Sequence, residues 1–160
     1  MGLHPDAQRV QDGLRLAGSA ASVHELAAST RTSAEAAEAL GVEVGAIAKS
    51  LIFLADARAV MVVASGAVRV DTRRLSEATG GAKITRADAD AVRAATGYPI
   101  GGVSPVGLAG VEVIVDPSLA AFEVVWAAAG TPNAVFPTTY GELVVLAGAR
   151  VADVAERPRD

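Results

Sequence analysis

Apolar residues in this chain come in short runs, and a turn-forming residue closes almost every one. The run at residues 59–64 ends at Ser65-Gly66, the β-branched run at 111–115 ends at Asp116-Pro117, and the alanine-rich stretch at 34–40 ends at Gly41. A membrane-spanning helix needs about 20 consecutive apolar residues, so runs of this length build short strands and short helices instead. Across 160 residues they add up to enough apolar surface for one domain with a real core. Hydrophobic residues make up 51% of the chain and charged residues 20%, which excludes disorder as its general state.

Other function classes fall away on residue type. There are no cysteines, so disulfides, thiolate zinc sites and a cysteine nucleophile are excluded. Only His4 and His24 are present, too few for a three-histidine metal site. The start, Met1-Gly2-Leu3-His4-Pro5-Asp6, has neither a basic n-region nor an apolar h-region, and the expectation is a soluble, cytoplasmic protein with no membrane association. Alanine occurs 35 times, and 12 of the 14 basic residues are arginine, the bias of GC-rich coding DNA. The two lysines, Lys49 and Lys83, stand out against it. A net charge of −4 gives no global attraction to nucleic acid, so any such contact is local.

Local signals set the element order. Pro5-Asp6 suits a helix N-terminus, and the helix carries Val10, Leu14 and Ala17 on one face before Gly18. Residues 21–27 read as a strand. Thr32-Ser33-Ala34-Glu35 is a capping box opening a helix to Leu40, with Gly41 as its stop. Residues 44–54 read as a short helix turning into a strand, and Asp56-Ala57-Arg58 turns it into a hairpin with 60–64. Residues 68–70 read as another strand. Asp71 N-caps a helix at 72–79 that ends at Gly80-Gly81. A strand at 83–85, a helix from Asp88 to Gly97 and a glycine- and proline-rich loop at 98–110 follow. Strands are expected at 111–115 and 122–127, the latter ending at the turn Gly130-Thr131-Pro132-Asn133. Thr139-Tyr140-Gly141-Glu142 is a second capping box, and 151–154 closes the domain. Strands and helices do not alternate regularly with long crossovers, so an α+β domain with a mixed sheet fits better than a doubly wound parallel one.

Few residues offer chemistry. Lys49 interrupts the apolar segment Ile47-Ala48-Lys49-Ser50-Leu51-Ile52-Phe53; it is either an exposed residue at a strand start or a cation facing a pocket, suited to a phosphate, a carboxylate or a developing oxyanion. The loop Gly97-Tyr98-Pro99-Ile100-Gly101-Gly102-Val103-Ser104-Pro105 is either a rigid connection or a cradle whose backbone amides hold an anion or a carbonyl oxygen. It is neither a P-loop nor a dinucleotide fingerprint. His24 is a general base or a structural residue, and Gly130-Thr131-Pro132-Asn133 is by itself a turn. There is no nucleophile elbow and no acidic metal cluster, so an enzyme built on this chain works by positioning and backbone hydrogen bonds. Arg69, Arg73, Arg74, Lys83, Arg86 and Arg93 outnumber the acids among them by two, a modest local excess of the kind usually found on solvated helix faces.

Three stretches taken together resemble one family. They are residues 32–42 with Ile47-Ala48-Lys49-Ser50-Leu51-Ile52-Phe53, then Thr96-Gly97-Tyr98-Pro99-Ile100-Gly101-Gly102-Val103-Ser104-Pro105, then Val113-Ile114-Val115-Asp116-Pro117-Ser118-Leu119. Their order and spacing are similar to the YbaK/prolyl-tRNA-synthetase-associated editing domain, in a free-standing form. The resemblance implies a mixed, barrel-like sheet surrounded by short helices. It covers an editing-domain-like core at about 20–156, which leaves the N-terminal helix in 1–19 and a tail at 157–160 that is expected to fray. It also implies a trans-editing deacylase, which hydrolyses the ester of a mischarged aminoacyl-tRNA, commonly tRNA(Pro) carrying a small amino acid. Lys49 then falls on the family's signature lysine, which holds the terminal adenosine or its phosphate, and Gly101-Gly102-Val103-Ser104-Pro105 on the loop whose amides hold the ester. The resemblance thus assigns the catalytic site to Lys49, Gly101, Gly102, Ser104 and Pro105. Ser50, Ile100, Val103, His24, Gly130 and Asn133 are the substrate-binding candidates. No metal or cofactor is implied. The partners implied are the acceptor end of an aminoacyl-tRNA and a prolyl-tRNA synthetase. The rival readings are a non-catalytic module binding a small ligand or a protein on the same fold, and an esterase acting on a substrate other than tRNA; loss of turnover on Lys49→Ala and a substrate screen separate them.

Overall fold

A computed structural model describes residues 2–27, 30 and 32–156. The tail at 157–160, expected to fray, lies outside the described residues. In chain order the elements are α1 (Pro5–Leu16), β1 (His24–Glu25), α2 (Ser33–Leu40), a 3-10 turn (Val44–Ala46), β2 (Ile47–Ala55), β3 (Arg58–Ser65), α3 (Thr72–Ala78), β4 (Ile84–Arg86) and α4 (Ala89–Thr96). They continue with β5 (Glu112–Val115), a second 3-10 turn (Pro117–Ala121), β6 (Val125–Ala128), β7 (Ala134–Thr138), α5 (Tyr140–Leu146) and β8 (Arg150–Val151).

Helices α2 to α5 start on the caps their sequence offers, and α1 starts on His4, whose Nδ1 accepts from Asp6 N at 3.1 Å. The Asp71 side chain accepts from Arg73 N and Arg74 N, Asp88 from Ala91 N, and Thr32 and Thr139 from Glu35 N and Glu142 N. Such caps contribute about 1 kcal/mol each. The second acidic partner of both capping boxes is used differently. The Glu35 carboxylate accepts from the Thr32 hydroxyl at 3.3 Å, while Glu142 accepts from Ser19 Oγ at 3.0 Å and Thr138 Oγ1 at 2.8 Å, tying the end of α1 to α5.

Three expected strands differ. Residues 21–27 pair only at His24 and Glu25, because Gln11 of α1 takes up the neighbouring backbone: it donates to Ala21 O and accepts from Val23 N. Residues 68–70 form no strand but a single bridge, Val70 to Ala155, with Val68 folded back onto Ser65. The strand expected at 122–127 begins at Val125, because Asp116 caps Pro117–Ala121 into a 3-10 turn that ends at Phe122.

The strands join in one mixed sheet in the order β1-β7-β6-β2-β3-β5-β8, with β4 on β2. Alternation sorts the side chains. Ala48 and Ile52, Met61 and Val63, Val113 and Val115, Val125 and Ala127, and Phe136 share one core with Val10 and Leu14 of α1, Val92 of α4 and Leu143 of α5. Phe53, Val60, Val62 and Ile114 pack on the opposite face around Leu75 of α3. Ala36 and Ala37 of α2 cover Ile47, with Trp126 beside them. Each large side chain removed from water in this way contributes about 1.5–3 kcal/mol. Among the described residues no helix is long and apolar enough to cross a membrane.

β2 is the central element, and one of its edges is shared. β3 runs antiparallel along its whole length. On the other edge β6 pairs in parallel with Ile47 and Ala48, and β4 pairs antiparallel with Phe53, Leu54 and Ala55. The two do not meet, and the sheet is split along the middle of β2.

Candidate functional site

A cavity of about 250 Å³ opens at this split. Its walls come from β2 (Ala48, Lys49, Ser50, Ile52), the start of α2 (Ser33, Ala36), the end of β4 and the residue after it (Arg86, Ala87), Trp126 of β6 and the loop after α4 (Ile100, Gly101, Val103). Among the described residues the lining holds no Asp, Glu or His.

Strand geometry dictates what β2 presents. Ile47 C=O accepts from Gly66 N on the β3 side, and Ile52 C=O accepts from Ala87 N on the split side. Backbone groups alternate between the two edges, so the N–H and C=O of Ser50 face the split. The Ser50 side chain lies on the core face between Ala48 and Ile52. Its Oγ is the one buried side-chain polar atom among the described residues with no hydrogen-bond partner. A buried hydroxyl without a partner costs about 1–3 kcal/mol, and Ser50 is one of the residues that line the cavity.

Lys49 leaves β2 on the opposite face. Its Nζ donates to the Val68 carbonyl, which brings the ammonium to the segment carrying Arg69. Burial lowers its pKa from 10.5, and the nearby Arg69 and Arg86 guanidiniums lower it further. Lys49 and Arg86 both line the cavity, and Arg69 lies near Lys49 outside the lining. Arg58, Arg74 and Arg150 elsewhere are paired with carboxylates of Glu112, Asp71 and Asp153, whereas among the described residues no carboxylate pairs with Lys49, Arg69 or Arg86. An unneutralised cluster of this kind attracts an anion. Lys83, the other lysine, is exposed just before β4 and does not line the cavity; its backbone closes the β2–β3 turn through Asp56.

The loop contributes in two ways. Ile100, Gly101 and Val103 line the cavity, with Ile100 53% exposed at its mouth. Gly102, Ser104 and Pro105 are buried behind them. Ser104 Oγ accepts from Val106 N at 3.3 Å and so shapes the turn. Gly102 C=O accepts from Gly130 N at 2.9 Å, and a Cβ on Gly102 would lie 2.7 Å from the Thr131 carbonyl carbon. Glycine is required there because two backbones touch.

His24, Gly130 and Asn133 also stand behind the wall. His24 is exposed on β1 and meets the Trp126 ring edge-on, 5.5 Å between centroids. Asn133 Nδ2 donates to Leu26 O, and Asn133 Oδ1 accepts from Thr131 Oγ1. The structure thus brings Lys49, Ser50, Ile100, Gly101 and Val103 together at the cavity, with Gly102, Ser104, Pro105, His24, Gly130 and Asn133 in support. Sequence reasoning did not single out Trp126, Ala87 or Thr30, and it met Arg86 only as part of a basic stretch. Thr30 Oγ1 donates to Pro132 O at 2.8 Å and joins two cavity walls.

The model of the aminoacyl-tRNA editing domain family matches residues 27–146, a span that holds the whole cavity lining. YwhH of Bacillus subtilis (strain 168), an uncharacterized protein, is 38% identical over 123 residues, 76% of this chain and 78% of YwhH. A proline–tRNA ligase of Pelotomaculum thermopropionicum is 37% identical over 82 residues, 51% of this chain but only 14% of the ligase. The crystal structure of a candidate trans-editing enzyme for prolyl-tRNA synthetase shares the fold with a TM-score of 0.91 at 43% identity, covering 98% of this chain and 100% of that one. On the match of that model to most of its length, the chain belongs to the aminoacyl-tRNA editing domain family.

Proposed function

We propose that the protein is a trans-editing aminoacyl-tRNA deacylase that clears a small amino acid mischarged onto tRNA(Pro), working in the cytoplasm beside a prolyl-tRNA synthetase. The observation that carries the reading is the cavity itself: a mostly apolar chamber with a cationic rim and no acid or imidazole in its described lining. That is a poor site for proton shuttling by side chains and a good one for holding an ester between a phosphate anchor and backbone donors.

In this mechanism the aminoacyl group enters the split of the sheet, and the 3′-terminal phosphate meets Lys49, Arg69 and Arg86. The backbone N–H groups of Gly101, Val103 and Ser50 polarise the ester carbonyl, while the Gly102 N–H is held by the Pro99 carbonyl at 3.0 Å. Water adds to the carbonyl carbon, the bond from that carbon to the ribose oxygen breaks, and the proton released by the water passes to the departing ribose oxygen. The products are a free amino acid and a tRNA with its terminal hydroxyl restored. The neighbouring ribose hydroxyl is the substrate group placed to orient the water, and the chamber's size limits the side chain admitted. Gly102, Ser104 and Pro105 act by fixing the loop, and His24, Gly130 and Asn133 by fixing the opposite wall.

The test is deacylation of tRNA(Pro) charged with alanine, cysteine, serine or proline. One mischarged species should be cleared and Pro-tRNA(Pro) spared. Lys49→Ala should lose about 100-fold in rate, the scale of removing an electrostatic anchor, with its circular dichroism spectrum unchanged. Wild type that clears none of the four would overturn the reading in favour of a binding module.

A further inference from the structure

The family match begins at residue 27, yet α1, which precedes it, is packed against both walls that flank the cavity. The Arg9 guanidinium lies over the Tyr98 ring at 4.4 Å from its centroid, and Tyr98 is only 2% exposed beneath it. A Cβ on Gly97 would sit 3.3 Å from Arg9 Nη1, so the helix presses directly on the start of the loop. Further along, Gly13 faces Val106 just past the loop's end, at 3.3 Å for an added Cβ. At its N-terminal end, Asp6 O would lie 2.5 Å from a Cβ on Gly130, the residue whose N–H donates to Gly102. Ala7, Val10 and Leu14 share a core with Tyr98, Val103 and Val106. α1 is itself held by Gln11, 7% exposed and bonded to Ala21 and Val23, and by the Ser19–Glu142 contact at its end.

We propose that α1 is a positioning element for the cavity loop and that Arg9 is its positioning residue, clamping Tyr98 so that the backbone of residues 100–103 keeps its orientation toward the ligand. Arg9 is not among the cavity-lining residues, and it acts through Tyr98. The consequence for turnover rests on the deacylase reading, whereas the consequence for the loop does not. A cation over an aromatic face at an exposed site shifts a local equilibrium about two- to fivefold. Arg9→Ala should therefore raise amide hydrogen exchange at residues 100–103 by that factor and lower kcat for deacylation similarly. KM should move less than about twofold, because the rim that anchors the phosphate is untouched. Arg9→Lys keeps a cation over the ring and should restore both values in part. Arg15→Ala removes an exposed charge from the same helix, away from the loop, and should change neither.

Three results separate the ideas. Faster exchange at 100–103 in Arg9→Ala with rescue by lysine supports the clamp even if the wild type deacylates nothing, in which case it is the deacylase reading that falls. Unchanged exchange at 100–103 overturns the clamp whatever the activity. A drop in melting temperature with uniform exchange increase across the chain also overturns it, since Arg9 is then a general stabiliser.

Discussion

Ser50 carries a cost that a bound ligand would offset. Its hydroxyl is buried without a partner between Ala48 and Ile52, in a strand whose neighbours are all apolar on that face. Ser50→Ala removes the unsatisfied group and should raise stability by about 1 kcal/mol in denaturant unfolding. The same substitution should slow deacylation by about tenfold, the worth of one hydrogen bond to the reacting group. Opposite signs for stability and activity would mark Ser50 as a ligand contact; equal losses in both would mark it as packing. At this scale the sequence was partly legible. Lys49 stands out because a lysine inside an apolar strand needs a reason, and the reason is a carbonyl partner at Val68 with two arginines nearby. Trp126 and Arg86 gave no such signal: one reads as core and the other as surface charge, and only pairing β6 and β4 to the same strand brings them to one cavity.

Among the elements, the loop after α4 and the turn between β6 and β7 behave as one unit, joined by the Gly130–Gly102 hydrogen bond and by contact between Gly102 and Thr131. Gly102→Ala drives a methyl group to within 2.7 Å of the Thr131 backbone, where no side chain can swing aside. Such overpacking costs about 1–3 kcal/mol, which for a chain of this size lowers the melting temperature by roughly 5 °C, and deacylation should fall with it. Gly141→Ala is the matched control: it lies inside α5 with nothing within 4 Å of an added Cβ, so it should leave the melting temperature unchanged or raise it. Helix starts were legible, because Thr32, Asp71, Asp88 and Thr139 carry caps whose bonds span three residues or fewer. The strands assigned to 21–27 and 68–70 were not, because partners distant in sequence decide them: Gln11 claims the backbone on either side of Ser22, and Ala155 leaves Val70 a single bridge.

Over the whole molecule, a net charge of −4 coexists with Lys49, Arg69 and Arg86, with which no carboxylate pairs among the described residues, and on the proposed reading the nucleic acid meets the protein there. Each phosphate neutralised on a single strand contributes about −0.7 to the slope of log affinity against log salt. Binding of a minihelix carrying an amide-linked amino acid should lose about that much slope with Arg69→Ala and again with Arg86→Ala, the two arginines that act on Lys49, and none with Arg73→Ala on α3, which does not; equal slopes for all three variants would place the nucleic acid elsewhere. The α+β class and mixed sheet could be read from short elements without regular crossovers, but the cavity could not, since it is an interval between two strands that share a neighbour. That interval has an evolutionary consequence. On the proposed reading, the grip it offers on a carbonyl comes from main-chain groups, which are present whatever side chain a residue carries. Drift in Ile100, Val103 or Trp126 can therefore change which guest is admitted without erasing the capacity to hold it, and one chassis can be retuned from one error to another.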